Sequence, residues 1–244
     1  MLEKIAKFSP MKNLHNKTGI TLIEIIIVFA IIGILAAFGI PEISRFSANY
    51  RVRSSATELL QNMRIARAMA IKENRKYLIV FDLENQRYLI GFDGDDVNGD
   101  GIPEGDGNLT TLDSDTFGIC KDLDNDRLPE GDVHINGIPE CVRVVNLVKY
   151  GKNIIFGYKT GIAPEQGPKK TAIPLNGVNF KGSPPSAEFE PDGSMDKLGS
   201  VYFQHTGKGI SYCVRISNSS GNINMWKWDG DKDHPESITW KEIR

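Results

Sequence analysis

Histidine and cysteine are scarce, four and three in 244 residues. His15 stands near the N-terminus, and His134, His205 and His234 lie far from one another, so no HExxH zinc motif can be composed. The three cysteines form no CxxC pair, which suits an oxidising compartment better than a metal cage. A nucleophile elbow is missing too: Ser183, Ser186 and Ser194 sit in turn-like contexts, where hydroxyls commonly satisfy backbone groups. With no motif to which catalytic roles attach, the expectation is that the chain is not an enzyme. Positive charge is not in excess either. There are 29 Lys and Arg against 31 Asp and Glu, a formal net charge of −2 that makes nucleic acid an unlikely partner. Charge is scarcest from Ile20 to Ile40, where Glu24 is the lone ionisable residue.

A bilayer core about 30 Å thick takes about 20 apolar helical residues, and Ile20 to Ile40 just meets that length. An ionised side chain in such a segment costs several kcal/mol, so Glu24 needs a partner. Ahead of the run, residues 1–19 carry Lys4, Lys7, Lys12 and Lys17 against Glu3, a bias that holds this leader on the cytoplasmic side. A secretory signal peptide cut near Ala36 and Ala37 would have a shorter apolar region. A plain single-pass anchor accounts for the length and leaves Glu24 unexplained.

Past Pro41, which would kink or mark the helix, residues 42–75 read as an amphipathic helix ending near Asn74. Ile43, Phe46, Tyr50, Leu60, Met63 and Ala70 recur at helical spacing and predict the face that packs on a sheet. Arg45, Arg51, Arg53, Arg64, Arg67 and Lys72 lie mostly elsewhere and predict a solvated basic face. The period then changes to two. Segments 76–83 and 87–92 read as a hairpin, and strands are further expected at 142–150, 153–158, 178–180, 187–190, 200–205, 211–217 and 222–228. The fold class is therefore α+β, a long N-terminal helix on an antiparallel sheet or two, with residues 76–244 forming the β domain.

Within that domain, about 93–141 is an acidic insertion. Asp96, Asn98 and Asp100, followed by Gly101, fit the first half of an EF-hand-like loop, with Glu104 and Asp106 close by; the twelfth position, Gly107, lacks the bidentate Glu. Asp122, Asp124 and Asp126 repeat the alternation, with Glu130 and Asp132 in the same Pro-Glu-Gly-Asp ending, and residues 136–140 look like a third, degraded copy. Carboxylates spaced this way repel unless a cation joins them, and hard oxygen ligands without histidine favour calcium over zinc. The alternative is a solvated acidic loop. Cys120 and Cys141 bracket the second repeat; a disulfide between them would be worth about 3 kcal/mol in the chain-entropy view. Two unpaired thiols are the other reading. Cys213, in a predicted strand, reads as a small buried hydrophobe, or as a partner for either of the others.

The segment Lys17-Thr18-Gly19-Ile20-Thr21-Leu22-Ile23-Glu24 resembles the N-terminal signal of the type IV pilin and type II secretion pseudopilin superfamily: a basic leader ending in Gly, then an apolar helix with Glu at its fifth position. The resemblance implies a pilin-like fold and cleavage by a prepilin peptidase between Gly19 and Ile20, with N-methylation of Ile20. It implies that Glu24 pairs with the new amine during assembly, and Pro41 lies where these helices often carry a proline. Ile20 departs from the usual Phe. Loss of the leader would leave 25 basic against 30 acidic residues, a charge of −5. Implied partners are other pilins or pseudopilins, the peptidase and an inner-membrane assembly platform. The implied location is the bacterial inner membrane, single-pass, with the domain extracytoplasmic, and then the filament.

Three pieces resemble the H-type pseudopilins and FimT/FimU-like minor pilins in particular: residues 60–72 at the helix end, Phe189-Glu190-Pro191-Asp192-Gly193-Ser194 before a strand, and Tyr212-Cys213-Val214-Arg215-Ile216-Ser217 leading through Gly221 to another. Some FimT-like members carry Gly-Arg-x-Arg at that last point for DNA. Here the residues are Gly221-Asn222-Ile223-Asn224, with Asp229, Asp231 and Asp233 nearby to repel phosphate. Trp226, Trp228 and Trp240 could stack on bases, but are expected to close a core edge or a subunit interface. The readings that remain are a filament assembly subunit acting at initiation or tip and, as the alternative, a binding module displayed on a filament for DNA uptake, substrate or surface adhesion.

Overall fold

The computed structural model describes residues 20–92, 141–159, 172–174, 176–182, 184–195, 197–228 and 240–243. Its first element is a single helix, α1, Leu22–Glu73, which continues through Pro41 although that residue lacks the N–H for an intrahelical bond. The chain divides into two units, Met1–Ser44 and Arg45–Arg244. In the described part of the first, the large apolar side chains from Ile20 to Ile43 are all 46–76 % exposed. The helix is long and apolar enough to cross a membrane. Apolar surface on that scale calls for lipid or other helices.

In the second unit α1 buries Ala48, Val52, Ser55, Ala56, Leu59, Asn62, Met63, Ala66 and Ala70. This stripe keeps the period of three and four but is not the expected one. Met63 and Ala70 belong to it and Leu60 packs at its margin, whereas Ile43, Phe46 and Tyr50 are exposed. The reason is size: four alanines let the helix backbone approach the sheets closely, so the contact face carries less bulk than the open one.

The strands are β1 (Tyr77–Asp82), β2 (Arg87–Phe92), β3 (Cys141–Asn146), β4 (Ile154–Phe156), β5 (Ser186–Phe189), β6 (Gly199–His205), β7 (Ile210–Ile216), β8 (Ile223–Trp228) and β9 (Trp240–Ile243). They form two antiparallel sheets ordered β3-β2-β1-β5 and β4-β6-β7-β8-β9. The expected hairpin forms, with Ile79 opposite Ile90, and Arg87 Nε meets Asp82 Oδ2 at 2.7 Å at its turn end. Two expected strands differ. Segment 142–150 pairs only to Asn146 and then turns as a 3₁₀ helix, Leu147–Tyr150, while 178–180 makes a single bridge, Val178 to Val201. Strand β9 is additional; four residues with Lys241 and Glu242 at their centre give no alternation to read.

One core joins the α1 stripe to the inner faces of both sheets, among them Tyr77, Ile79 and Phe81 of β1 and Val201 and Phe203 of β6. Phe81 stacks on Phe180 at 5.6 Å and meets Phe156 edge-on at 6.0 Å. A second cluster lies on the other face of the five-stranded sheet, where Tyr202, Cys213 and Trp226 follow one another across three strands beside Trp228 and Trp240. The tryptophans thus close a core edge, as expected.

Cys213 is fully buried and free, and burial pushes its thiol up to about 12. Reactivity follows the thiolate, so iodoacetamide is expected to leave Cys213 unmodified in the native chain at pH 8 and to label it in denaturant, as peptide mass analysis would show. The folded thiol stays neutral where the unfolded one ionises. This contribution to stability is therefore complete below pH 9, the ordinary value of the thiol, and falls away as pH rises from there to about 12.

Candidate functional site

The N-terminal site begins at Ile20, which is 74 % exposed. Thr21 precedes the first helical residue and caps it: the Glu24 N–H donates to Thr21 Oγ1 at 3.3 Å, and the Ile25 N–H donates to the Thr21 carbonyl at 3.3 Å. Glu24 is therefore the third helical residue. A carboxylate in the first turn faces the positive end of the helix dipole, and Thr-x-x-Glu is the spacing of a capping box. This local role for Thr21 and Glu24 went unread in the sequence, although its signal is present there. Gly19 lies outside the described residues. Pro41 lies on the exposed first part of α1, one turn ahead of Arg45.

The expected calcium ligands Asp96, Asn98, Asp100, Glu104, Asp106, Asp122, Asp124, Asp126, Glu130 and Asp132 all lie outside the described residues, as does Cys120; Cys141 is described only through its backbone, at the start of β3. Among the described residues no three His, Cys, Asp or Glu come together as a metal site.

The two loop motifs that follow β5 and β7 meet on the last turns of α1. Arg67 Nε donates to the Gly193 carbonyl at 2.8 Å and Nη1 to the Gly221 carbonyl at 3.4 Å. Both glycines have positive φ, +79° and +75°, and a Cβ on either would run into Ile71 or Arg67. Arg67, read from sequence as part of a solvated face, is thus half-buried and fastens both loops to the helix. A cleft of 520 Å³ opens beside it, lined by Arg64, Arg67, Ile71, Ser220, Gly221 and Asn222. With Arg67 engaged by carbonyls, Arg64 is the exposed cation of that lining. Gly221 and Asn222, where a Gly-Arg-x-Arg element was looked for in the sequence, line this cleft opposite Arg64 and Arg67.

Residues 14–40 match the prokaryotic N-terminal methylation motif. That match is confined to the N-terminal segment, the apolar first part of α1 and the residues just ahead of it. A solved structure, the minor pseudopilin EpsH from the type 2 secretion system of Vibrio cholerae, aligns over 72 % of this chain and 95 % of its own at 10 % identity, with a TM-score of 0.36. No curated protein sequence matches the chain.

Proposed function

We propose that this protein is a minor pseudopilin or pilin subunit, cut by a prepilin peptidase between Gly19 and Ile20, methylated at Ile20 and assembled through its apolar helix into a type II secretion pseudopilus or type IV pilus. The observation that carries the reading is the methylation motif running directly into an exposed apolar helix whose first turn holds Glu24. Cleavage creates an ammonium at Ile20. When the helix leaves lipid for a bundle of like helices, a desolvated charge is tolerable only if paired, so Glu24 takes that amine, on its own chain or on a neighbour. Residues 20–41 are then the membrane and filament-core segment, 42–75 the amphipathic segment, and 76–244 the extracytoplasmic domain. The partners are other pilins and the inner-membrane platform, and the role is structural, at initiation or tip, with no catalysis.

The acidic insertion at about 93–141 is the displayed feature, holding calcium between its aspartates and stapled by Cys120 and Cys141. Calcium is expected to raise the melting temperature of the wild-type chain, and Asp96→Ala with Asp124→Ala to abolish that rise. An equal calcium effect in the variant would remove the metal from the account. The assembly role is tested by deleting the protein from its host. Loss of filaments supports it, whereas normal filaments that have lost only a ligand favour the display reading.

A further inference from the structure

The cleft beside Arg67 carries polar groups that the fold itself does not use. Its loop wall is held by its own backbone: the Gly221 N–H donates to the Asn218 carbonyl at 3.0 Å, the Asn222 N–H to Asn218 Oδ1 at 2.9 Å, and the Met195 N–H to the Ser219 carbonyl at 2.8 Å. The Ser220 hydroxyl and the Asn222 side-chain amide are exposed and have no hydrogen-bond partner among the described residues. Arg64, also exposed, makes neither an ion pair nor a hydrogen bond with any of them. Arg67 gives Nε and Nη1 to the Gly193 and Gly221 carbonyls, but carbonyls supply no counter-charge, so its charge adds to that of Arg64. No Asp or Glu lies in the lining. The described acids closest along the chain are engaged elsewhere: Asp192 Oδ1 accepts from the Ser194 N–H at 2.7 Å, Glu190 is bridged to Lys76 at 2.7 Å, and Glu73 to Arg75 at 3.0 Å. Strand β8 leaves the cleft at Ile223 and reaches Trp228 about 17 Å further on, so the acidic residues that follow in sequence depart from its far end.

From this arrangement we propose that the cleft binds a peptide carboxylate, presented by a partner protein as an Asp or Glu side chain or as a chain terminus. A guanidinium offers parallel N–H donors that match the two oxygens of a carboxylate, and the hydroxyl and amide beside it supply the remaining bonds. Because the loop is already fixed, little ordering is spent on binding. Ala68 and Ile71, both exposed, form an apolar wall for the methylenes next to the carboxylate. The volume of 520 Å³ suits a few residues of peptide. Nucleic acid fits less well. A phosphate track is held by about 6–10 contacts in a strong binder, whereas this cleft has two arginines, one of them already bonded to carbonyls. All of these residues belong to the second unit, so the inference stands apart from cleavage at Gly19 and from Glu24.

The test titrates the full chain, in uncharged detergent micelles, into fluorescent peptides and reads anisotropy. The probes are an oligoglutamate with an amidated C-terminus, an alanine peptide with a free C-terminus, and the amide of that alanine peptide. One or both carboxylate peptides are expected to bind and the uncharged amide is not; which of the two binds identifies the source of the carboxylate. Arg64→Gln is expected to weaken binding about tenfold or more and Asn222→Ala severalfold, with the melting temperature unchanged because neither exposed side chain has a partner in the fold. Arg51→Gln, an exposed arginine elsewhere on α1, is the control and should bind as the wild type does. Failure of both carboxylate peptides to bind, or equal binding by the Arg64 and Arg51 variants, overturns the inference. A single-stranded oligonucleotide that binds more tightly than either peptide, with the same dependence on Arg64, overturns it in favour of nucleic acid.

Discussion

Glu24→Gln is expected to leave the protein cleaved, folded and membrane-bound, yet to reduce its recovery in sheared filaments by at least a hundredfold. Glutamine at the third helical position keeps the volume and can still serve a capping box, so the helix start survives. What disappears is the charge. The Ile20 ammonium would then be buried among apolar helices without a counterion, and breaking a buried pair by removing one partner costs about 3–5 kcal/mol. A Thr21→Val change does the opposite. It removes the cap, at a cost of about 1 kcal/mol to the first turn, and keeps the charge pair. If Glu24 acts only through capping, the glutamine variant should assemble normally and the threonine variant should be the one that fails. If it acts as a counterion, the threonine variant should assemble much better.

Gly177→Ala is expected to cost about 3 kcal/mol or more, a fall of roughly 6–12 °C in melting temperature for a domain of this size. Gly177 has φ +75°, and a Cβ there would come within 2.4 Å of the Gly157 nitrogen and 2.6 Å of its Cα. Neither obstacle is a side chain that could swing aside. The two glycines are also tied through one residue of β6: the Tyr202 N–H donates to the Gly177 carbonyl at 2.7 Å, and the Gly157 N–H to the Tyr202 carbonyl at 2.8 Å. Relieving the clash would break that ladder beside the aromatic core. Gly207→Ala is the matched control. Its Cβ would meet only the His205 ring, at 3.7 Å, and less than about 1 kcal/mol should be lost. Thermal unfolding of both variants, followed by circular dichroism, makes the comparison. Equal melting temperatures would mean that the Gly157–Gly177 crossing can open without penalty.

Most of the strands were legible because β-branched and aromatic residues alternate in them; Tyr77, Ile79 and Phe81 all turn to the core that α1 covers. The helix was legible in extent but not in orientation. Hydrophobic weight pointed to Ile43, Phe46 and Tyr50, while close packing selected Ala48, Ala56, Ala66 and Ala70, whose small size carries almost no signal. Arg67 misled for a related reason: a guanidinium on a basic face reads as solvated until two glycine loops from distant parts of the chain bring it their carbonyls. At the N-terminus the functional resemblance of Glu24 concealed its local one, because Thr-x-x-Glu and the filament signal use the same residue.

The central claim is that the chain becomes a filament subunit by exposing Ile20. The most direct measurement is the intact mass of the protein purified from its native membranes. A chain beginning at Ile20 and carrying one added methyl group is the predicted result. A full-length chain with Met1 and the four leader lysines still attached, or one cut near Ala37, would contradict it.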